Sequence, residues 1–215
     1  MAGQVTPYWP PWSGAAFAHL TARDAADPVM AGIATTVGLI HFNPDPDVYG
    51  RLVKAIIGQQ ISGKAANAIR GRVFAAVGDP FLPAHVAALS DDALRSCGLS
   101  LNKLLALRDL TTHVLDGRID PLVLASLPDE DVIRRLVAVR GVGRWTAEML
   151  LLFGLGRPDV LPVDDLGVRA GAQRAYGLET LPKAAQMREL AIPWHPYASA
   201  ASYYLWRSLD TLAPG

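Results

Sequence analysis

Leu136-Val-Ala-Val-Arg-Gly-Val-Gly-Arg-Trp-Thr-Ala-Glu-Met149 is the stretch whose reading decides the fold. The residues before it, Asp129–Val139, follow Pro128 and place Val132, Ile133, Leu136 and Val137 together at helical spacing, with Asp129 expected as N-cap. The residues after it, Ala147–Phe153, are apolar apart from Glu148, which suits a helix buried on most sides. Between the two, Gly141-Val-Gly143 permits positive φ and the close approach of another backbone. The pattern therefore reads as helix, tight turn, helix. A turn that opens into a helix N-terminus presents unpaired N–H groups and the positive end of the dipole, a site for an anion. A DNA phosphate could dock there on few basic side chains, with Arg144 adding one. Taken alone, a Gly-x-Gly is most simply an ordinary turn.

Helical periodicity continues outward in both directions. Tyr49–Ser62 carries Leu52, Val53, Ile56, Ile57 and Ile61 on one face. Leu101–Leu115 carries Leu101, Leu104, Leu105, Leu110, Val114 and Leu115, and the last helix carries Tyr197, Ala200, Ala201, Tyr204, Leu205, Leu209 and Leu212. Alternating strand patterns are nearly absent, so the chain reads as all-α, with about ten helices in two lobes. Breakers fall at Asn43-Pro-Asp-Pro46, Gly78-Asp-Pro-Phe-Leu-Pro83, Leu127-Pro128 and Gly156-Arg-Pro-Asp159.

Composition bounds the function. With 215 residues, 51% of them hydrophobic, the chain can bury a sizeable core. No apolar run approaches the ~20 residues of a membrane span, and the apolar start has no basic residue before Arg23, unlike a secretory signal. The single cysteine, Cys97, excludes an internal disulfide and an all-cysteine iron–sulfur site, and suits an intracellular, reduced setting. His19, His41, His85 and His113 show no metal spacing. Twenty basic residues cancel twenty acidic ones, so bulk charge gives DNA binding no support. Any such binding has to rest on a local site.

About twenty residues beyond the Gly-Val-Gly turn, Leu161-Pro-Val-Asp-Asp-Leu-Gly-Val-Arg169 puts two carboxylates at the start of another helix. Their simplest reading is an N-cap and a first-turn acid. The same helix end favours a negative charge. A carboxylate held beside a scissile glycosidic bond can stabilise an oxocarbenium-like transition state or orient a water.

Val139-Arg-Gly-Val-Gly-Arg-Trp-Thr-Ala147 followed by Leu161-Pro-Val-Asp-Asp165 resembles the helix-hairpin-helix DNA glycosylase superfamily, and within it the 3-methyladenine DNA glycosylase II (AlkA) branch. Ala55-Ile-Ile-Gly-Gln-Gln-Ile-Ser62 upstream and Trp194-His-Pro-Tyr197 through Trp206 downstream extend the likeness over roughly Pro44 to Leu209. The resemblance implies Asp165 as the catalytic carboxylate, with Asp164 its structural neighbour. It implies Gly141, Val142, Gly143 and Arg144 at the phosphate backbone, with the backbone carbonyls of Val137, Val139 and Val142 holding a structural Na+ or K+. No organic cofactor and no iron–sulfur cluster are expected.

Trp145 stands where strand-cutting relatives carry a lysine, so Schiff-base chemistry is not expected; a tryptophan can instead stack on a flipped cationic base. Trp206 matches an aromatic pocket position, although its spacing suits core packing equally. Met149 stands where the branch can place an aromatic, which leaves the shape of the pocket open. Gln60 matches the wedge that fills the gap left by the extruded nucleotide, or is one of two solvated glutamines. Ser62 and Lys64 could hold a second phosphate at the next helix.

The implied activity is a monofunctional hydrolase that flips alkylated, 3-methyladenine-type purines out of double-stranded DNA in base excision repair. The expected protein is a monomer, DNA-associated inside the cell. Two alternatives stand beside it: a glycosylase for oxidised or mispaired bases, and a non-catalytic DNA-binding module. Larger members carry a mixed α/β domain ahead of the helical lobes, and only about forty residues precede Pro44, so a compact form is expected. Residues 1–43 would pack with the C-terminal lobe, 44–158 would form the central lobe, and 159–215 would complete the other, with a DNA-binding cleft between.

Overall fold

Capping residues and prolines set where the helices begin. In the computed structural model, which describes residues 10–23, 26–41 and 47–211, Asp27, Asp47, Ser62, Ser90, Ser100, Asp120 and Asp165 each accept a backbone N–H in the first turn of the helix they precede. The described residues contain thirteen α-helices, one 3-10 turn and no strand. The Asn43–Pro46 breaker and Leu212 lie outside them.

The chain divides into two units, Met1–Pro44 with Leu151–Gly215, and Asp45–Leu150. The first holds α1 (Ser13–Leu20) and α2 (Pro28–Val37) from the start of the chain. From the end it holds α11 (Leu166–Ala175), α12 (Ala184–Leu190), the 3-10 turn Ile192–Trp194 and α13 (Ala198–Thr211). α13 packs on α11, α2 and α1. Its buried face is Ala200, Ala201, Tyr204 and Leu205, set against Met30, Ile33, Val168, Ala172 and Trp194. Small residues on this face let helices approach closely: a Cβ added at Gly171 would lie 2.5 Å from Leu205 O. Asp27 ties the unit polar-side as well, accepting from Tyr176 Oη and, at 2.8 Å, from Trp194 Nε1.

The second unit holds α3 (Val48–Gly58), α4 (Gly63–Val77), α5 (Pro83–Ala88), α6 (Asp91–Ser96), α7 (Leu101–Leu115), α8 (Pro121–Ser126) and α9 (Asp129–Val137). α10 (Arg144–Phe153) begins in this unit and ends in the other. α7 is the hub, packing on α3, α5 and α6. Leu52, Val53, Ile56 and Ile57 of α3 are buried, as are Val132, Ile133 and Leu136 of α9. Three acids in the first turn of α9 and two arginines in its last complement the helix dipole.

Several details depart from the sequence reading. There are more helices than ten, because α5, α6, α8 and α12 are six or seven residues long and too short to display a period. α3 stops at Gly58, so Ile61 lies beyond it and is exposed. In α7 the buried row is Leu104, Leu107, Leu110 and Thr111, while Leu101, Leu105 and Leu115 face solvent. Pro128, not Asp129, is the N-cap of α9, its φ of −58° and ψ of 150° setting the chain just outside the helix. Val137, the last residue of α9, is exposed.

Candidate active site

The hairpin is built from α9, the turn Ala138–Gly143 and α10. Gly141 takes φ +76°, a conformation open to glycine at little cost. Gly143 does not share the positive φ expected of it; nothing lies within 4 Å of a Cβ built there, so its side of the turn is open to an approaching backbone. Three hydrogen bonds fix the turn: Val142 N–H donates to Val139 O (3.0 Å), Arg140 N–H to Asp109 Oδ2 (2.7 Å), and Gln59 Nε2 to Gly141 O (2.8 Å). Val142 is buried beneath. The first N–H groups of α10 then lead out of a rigid turn, as an anion site requires.

Arg144 opens α10, but its guanidinium is occupied. It donates to Glu130 on α9 and, at 3.0 Å, to the buried Glu148 one turn along α10. The hydrogen bond from Arg144 lowers the pKa of Glu130, and the same bond raises that of Arg144. Arg144 thus braces the two hairpin helices, and the expected phosphate contact by its side chain competes with Glu130.

Trp145 and Met149 share one face of α10. Together with Gln59, Gln60, Arg70 and Thr146 they line a concavity of about 490 Å³ in the central unit, floored by Ala55 and Gly58. Trp145 is 47% exposed, an aromatic surface available for stacking. Gln60 is exposed and follows the end of α3 with φ 57°. Ser62 caps α4, its Oγ accepting from Ala65 N–H at 3.3 Å, and Lys64 is exposed in the first turn of that helix. Gln60, Trp145 and Met149 are therefore brought to one place. Arg70 and Thr146 join them without having been singled out from sequence.

Asp165 and Trp206 are brought together in the other unit. Asp165 itself is the N-cap of α11, and Asp164 precedes it in the turn, exposed. The Asp165 side chain is buried, and its Oδ1 accepts from Val168 N–H at 2.8 Å and from Trp206 Nε1 at 2.7 Å. Phe153 stacks on the Trp206 ring, centroids 5.6 Å apart. Two charge-assisted donors on one oxygen fix the plane of the carboxylate. Trp206 thus has a polar partner as well as an aromatic one, a role its sequence position did not reveal. Among the described residues no group of three or more His, Cys, Asp or Glu could hold a metal ion, and none of the helices is long and apolar enough to cross a membrane.

Comparison with known proteins adds to this geometry. Residues 53–196 match the HhH-GPD family, described as a superfamily of base excision DNA repair proteins. The chain is 35% identical over 164 residues to DNA-3-methyladenine glycosylase 1 of Schizosaccharomyces pombe, covering 74% of this chain and 72% of that one. A solved S. pombe 3-methyladenine DNA glycosylase (Mag1) in complex with abasic DNA superposes with a TM-score of 0.77 at 30% identity, over 91% of this chain and 97% of its own. DNA-3-methyladenine glycosidase from Bacillus halodurans superposes with a TM-score of 0.84 at 35% identity, over 92% and 90%.

Proposed function

The chain belongs to the HhH-GPD superfamily of base excision DNA repair proteins, and from that premise we infer that it is a DNA glycosylase that removes alkylated, 3-methyladenine-type purines. The observation that carries the catalytic part is Asp165, a buried carboxylate at the N-terminus of α11 with Oδ1 held by two N–H donors. An alkylated purine is already cationic, so the glycosidic electron pair leaves with the base and little acid assistance is needed. Positive charge then builds on the sugar. A fixed negative group beside C1′ stabilises that charge and orients the water that adds there, whose proton is lost to solvent. The products are free base and an abasic site with an intact strand.

Trp145 supplies the stacking surface for the cationic base, favoured by its quadrupole. It has no nucleophilic amine, so strand scission through a Schiff base is not expected. Gly141 and Gly143 hold the phosphate backbone through N–H groups, while Val142, whose own N–H is taken by Val139 O, lies buried beneath the turn, and Gln60 fills the gap in the duplex. The carbonyls of Val137, Val139 and Val142 suit a Na+ or K+: they are neutral hard oxygens at or beyond the end of α9, and Val139 O, which accepts from Val142 N–H, keeps a second lone pair for an ion. Such an ion would supply positive charge next to the bound phosphate. The protein is expected to act as a monomer.

The experiment is release of free base from methylated duplex DNA by the native chain and by Asp165→Asn. Release by the native chain, reduced on the order of 10²- to 10³-fold in the variant with affinity for abasic-site DNA retained, is the expected outcome. Equal release by both removes Asp165 from the mechanism. No release by either, with tight binding to abasic-site DNA, points to another lesion or to a module that only binds.

A further inference from the structure

The turn after α3 and the hairpin lie far apart in sequence, and one side chain joins them. Gln59 is the C-cap of α3, and its Nε2 reaches Gly141 O across 82 residues. The Gly141–Val142 peptide is thereby held at both ends, its carbonyl by Gln59 and its N–H by Val139 O. That is the peptide that turns the chain into α10.

The neighbouring residue is Gln60, the one non-glycine with positive φ among the described residues. A left-handed conformation is unfavourable for a residue with a Cβ and persists only where its surroundings hold it. The surroundings here are built for holding. Lys103 Nζ donates to Ile57 O at 2.8 Å, and Arg70 donates to Lys54 O at 3.0 Å, so two cations secure the carbonyl end of α3. The Gln59 amide fixes the remaining side of the turn against the hairpin. A displacement of the hairpin turn would therefore be felt directly at Gln60.

We propose that Gln59 is a positioning residue which couples the Gln60 turn to the hairpin, so that the hairpin seated on a phosphate sets the register at which Gln60 enters the duplex. This rests on the reading that the hairpin holds a phosphate and that Gln60 fills the gap. Gln59 lines the concavity beside Trp145, and its positioning role is exerted through Gly141 and Gln60.

The test is a double-mutant cycle on the full chain, with native protein, Gln59→Met, Gln60→Ala and the double variant. The quantity read is the ratio of affinities for abasic-site and undamaged duplex of the same sequence. Partial loss of folded protein lowers both affinities together and leaves their ratio unchanged. Gln59→Met removes the donor at similar length and is expected to lower the preference for abasic-site DNA about fivefold, the worth of one ordinary hydrogen bond. In the Gln60→Ala background it is expected to change almost nothing. Gln59→Lys, which restores a donor of comparable reach, is expected to recover most of the native preference. Equal losses in both backgrounds, or no loss in either, would overturn the coupling. Gln59→Asn, whose shortened amide cannot span the distance, repeats the cycle should the methionine variant fold poorly. Base release measured on the same proteins separates the two claims: a coupled cycle without release removes the glycosylase activity alone, and release with an additive cycle removes the coupling alone.

Discussion

Asp165 is shaped by two partners of different kinds. Val168 N–H belongs to its own helix and comes with the N-cap; Trp206 Nε1 arrives from α13, 41 residues away. The indole could matter through its ring, through its N–H, or through both, and Trp206→Phe separates these. Phenylalanine keeps an aromatic surface for Phe153 to stack on and loses the donor to Oδ1 together with the pyrrole edge that lies over Gly167. If the N–H fixes the carboxylate, the variant should lose about tenfold in single-turnover base release, within the range for a hydrogen bond to a charged group, while its affinity for abasic-site DNA stays near native. If the ring alone matters, Trp206→Phe should release base nearly as fast as the native chain, and the positioning role of the indole is then wrong. Arg144 offers the opposite lesson at this scale. A basic residue at a helix N-terminus looks like a phosphate ligand, yet Glu130 and Glu148 already hold its guanidinium, and its visible work is to brace α9 against α10.

Between elements, the crossing of α11 and α13 carries the site, since Asp165 caps α11 and α13 bears Trp206. A methyl group at Gly171 would fall 2.5 Å from Leu205 O and 2.9 Å from Leu205 C, backbone atoms that cannot rotate away. Gly171→Ala should therefore destabilise the protein by about 1–3 kcal/mol in thermal or urea unfolding, and should slow base release as well by shifting Trp206 from Asp165. Stability unchanged from native would mean the two helices can part at no cost. In the other unit, Tyr49 on α3 donates to or accepts from Thr111 Oγ1 on α7 at 2.8 Å, and burial pushes its phenol up to about 12. The phenol ordinarily titrates near 10, so it binds its proton more tightly when folded. The stability this contributes is complete below about pH 10 and is lost as pH rises towards 12. Tyr49→Phe should flatten that alkaline loss in unfolding measured across the window; an unchanged slope would assign it to other groups. How much of this was legible from sequence depends on whether the deciding physics was local. The glycine turn and the helix start at Asp164–Asp165 were legible because a turn and a helix cap act within four residues, but the register was one residue off: Asp165 is the cap, Asp164 precedes it, and the first turn of α11 holds no acid. The stripe of α3 was legible from Leu52 to Ile57, where the buried positions form one clean row, but not at Ile61, which lies past the helix end. α7 has two adjacent apolar rows, and periodicity cannot say which meets the core, so Leu101, Leu105 and Leu115 were misassigned. Gln59 to Gly141 and Trp206 to Asp165 were hidden, because no local pattern marks which partner a polar side chain meets once the chain has folded.

For the whole molecule, the puzzle is a DNA-binding protein with twenty basic and twenty acidic residues. The structure deepens it, since Arg108, Arg118, Arg134 and Arg144 each pair with a carboxylate of the protein itself. If, as proposed, binding rests on the hairpin backbone, with Lys64 at the head of α4 and a monovalent cation at the carbonyls of Val137, Val139 and Val142, it neutralises only about two phosphates with mobile or side-chain charge. Counterion release then gives a dependence of log affinity on log salt with a slope of about −2, shallow for a protein that grips duplex DNA. The measurement is affinity for abasic-site duplex across a salt series. It is paired with a second series at constant ionic strength in which Na+ and K+ are replaced by tetramethylammonium, too large for a carbonyl ring. The expected result is a shallow slope in the first series and weakened binding in the second. A slope steeper than about −5 would mean that several exposed lysines and arginines carry the contact, and the account based on helix N-termini would then fail. Binding indifferent to the replacement would remove the cation, leaving the N–H groups of the hairpin to hold the phosphate by themselves.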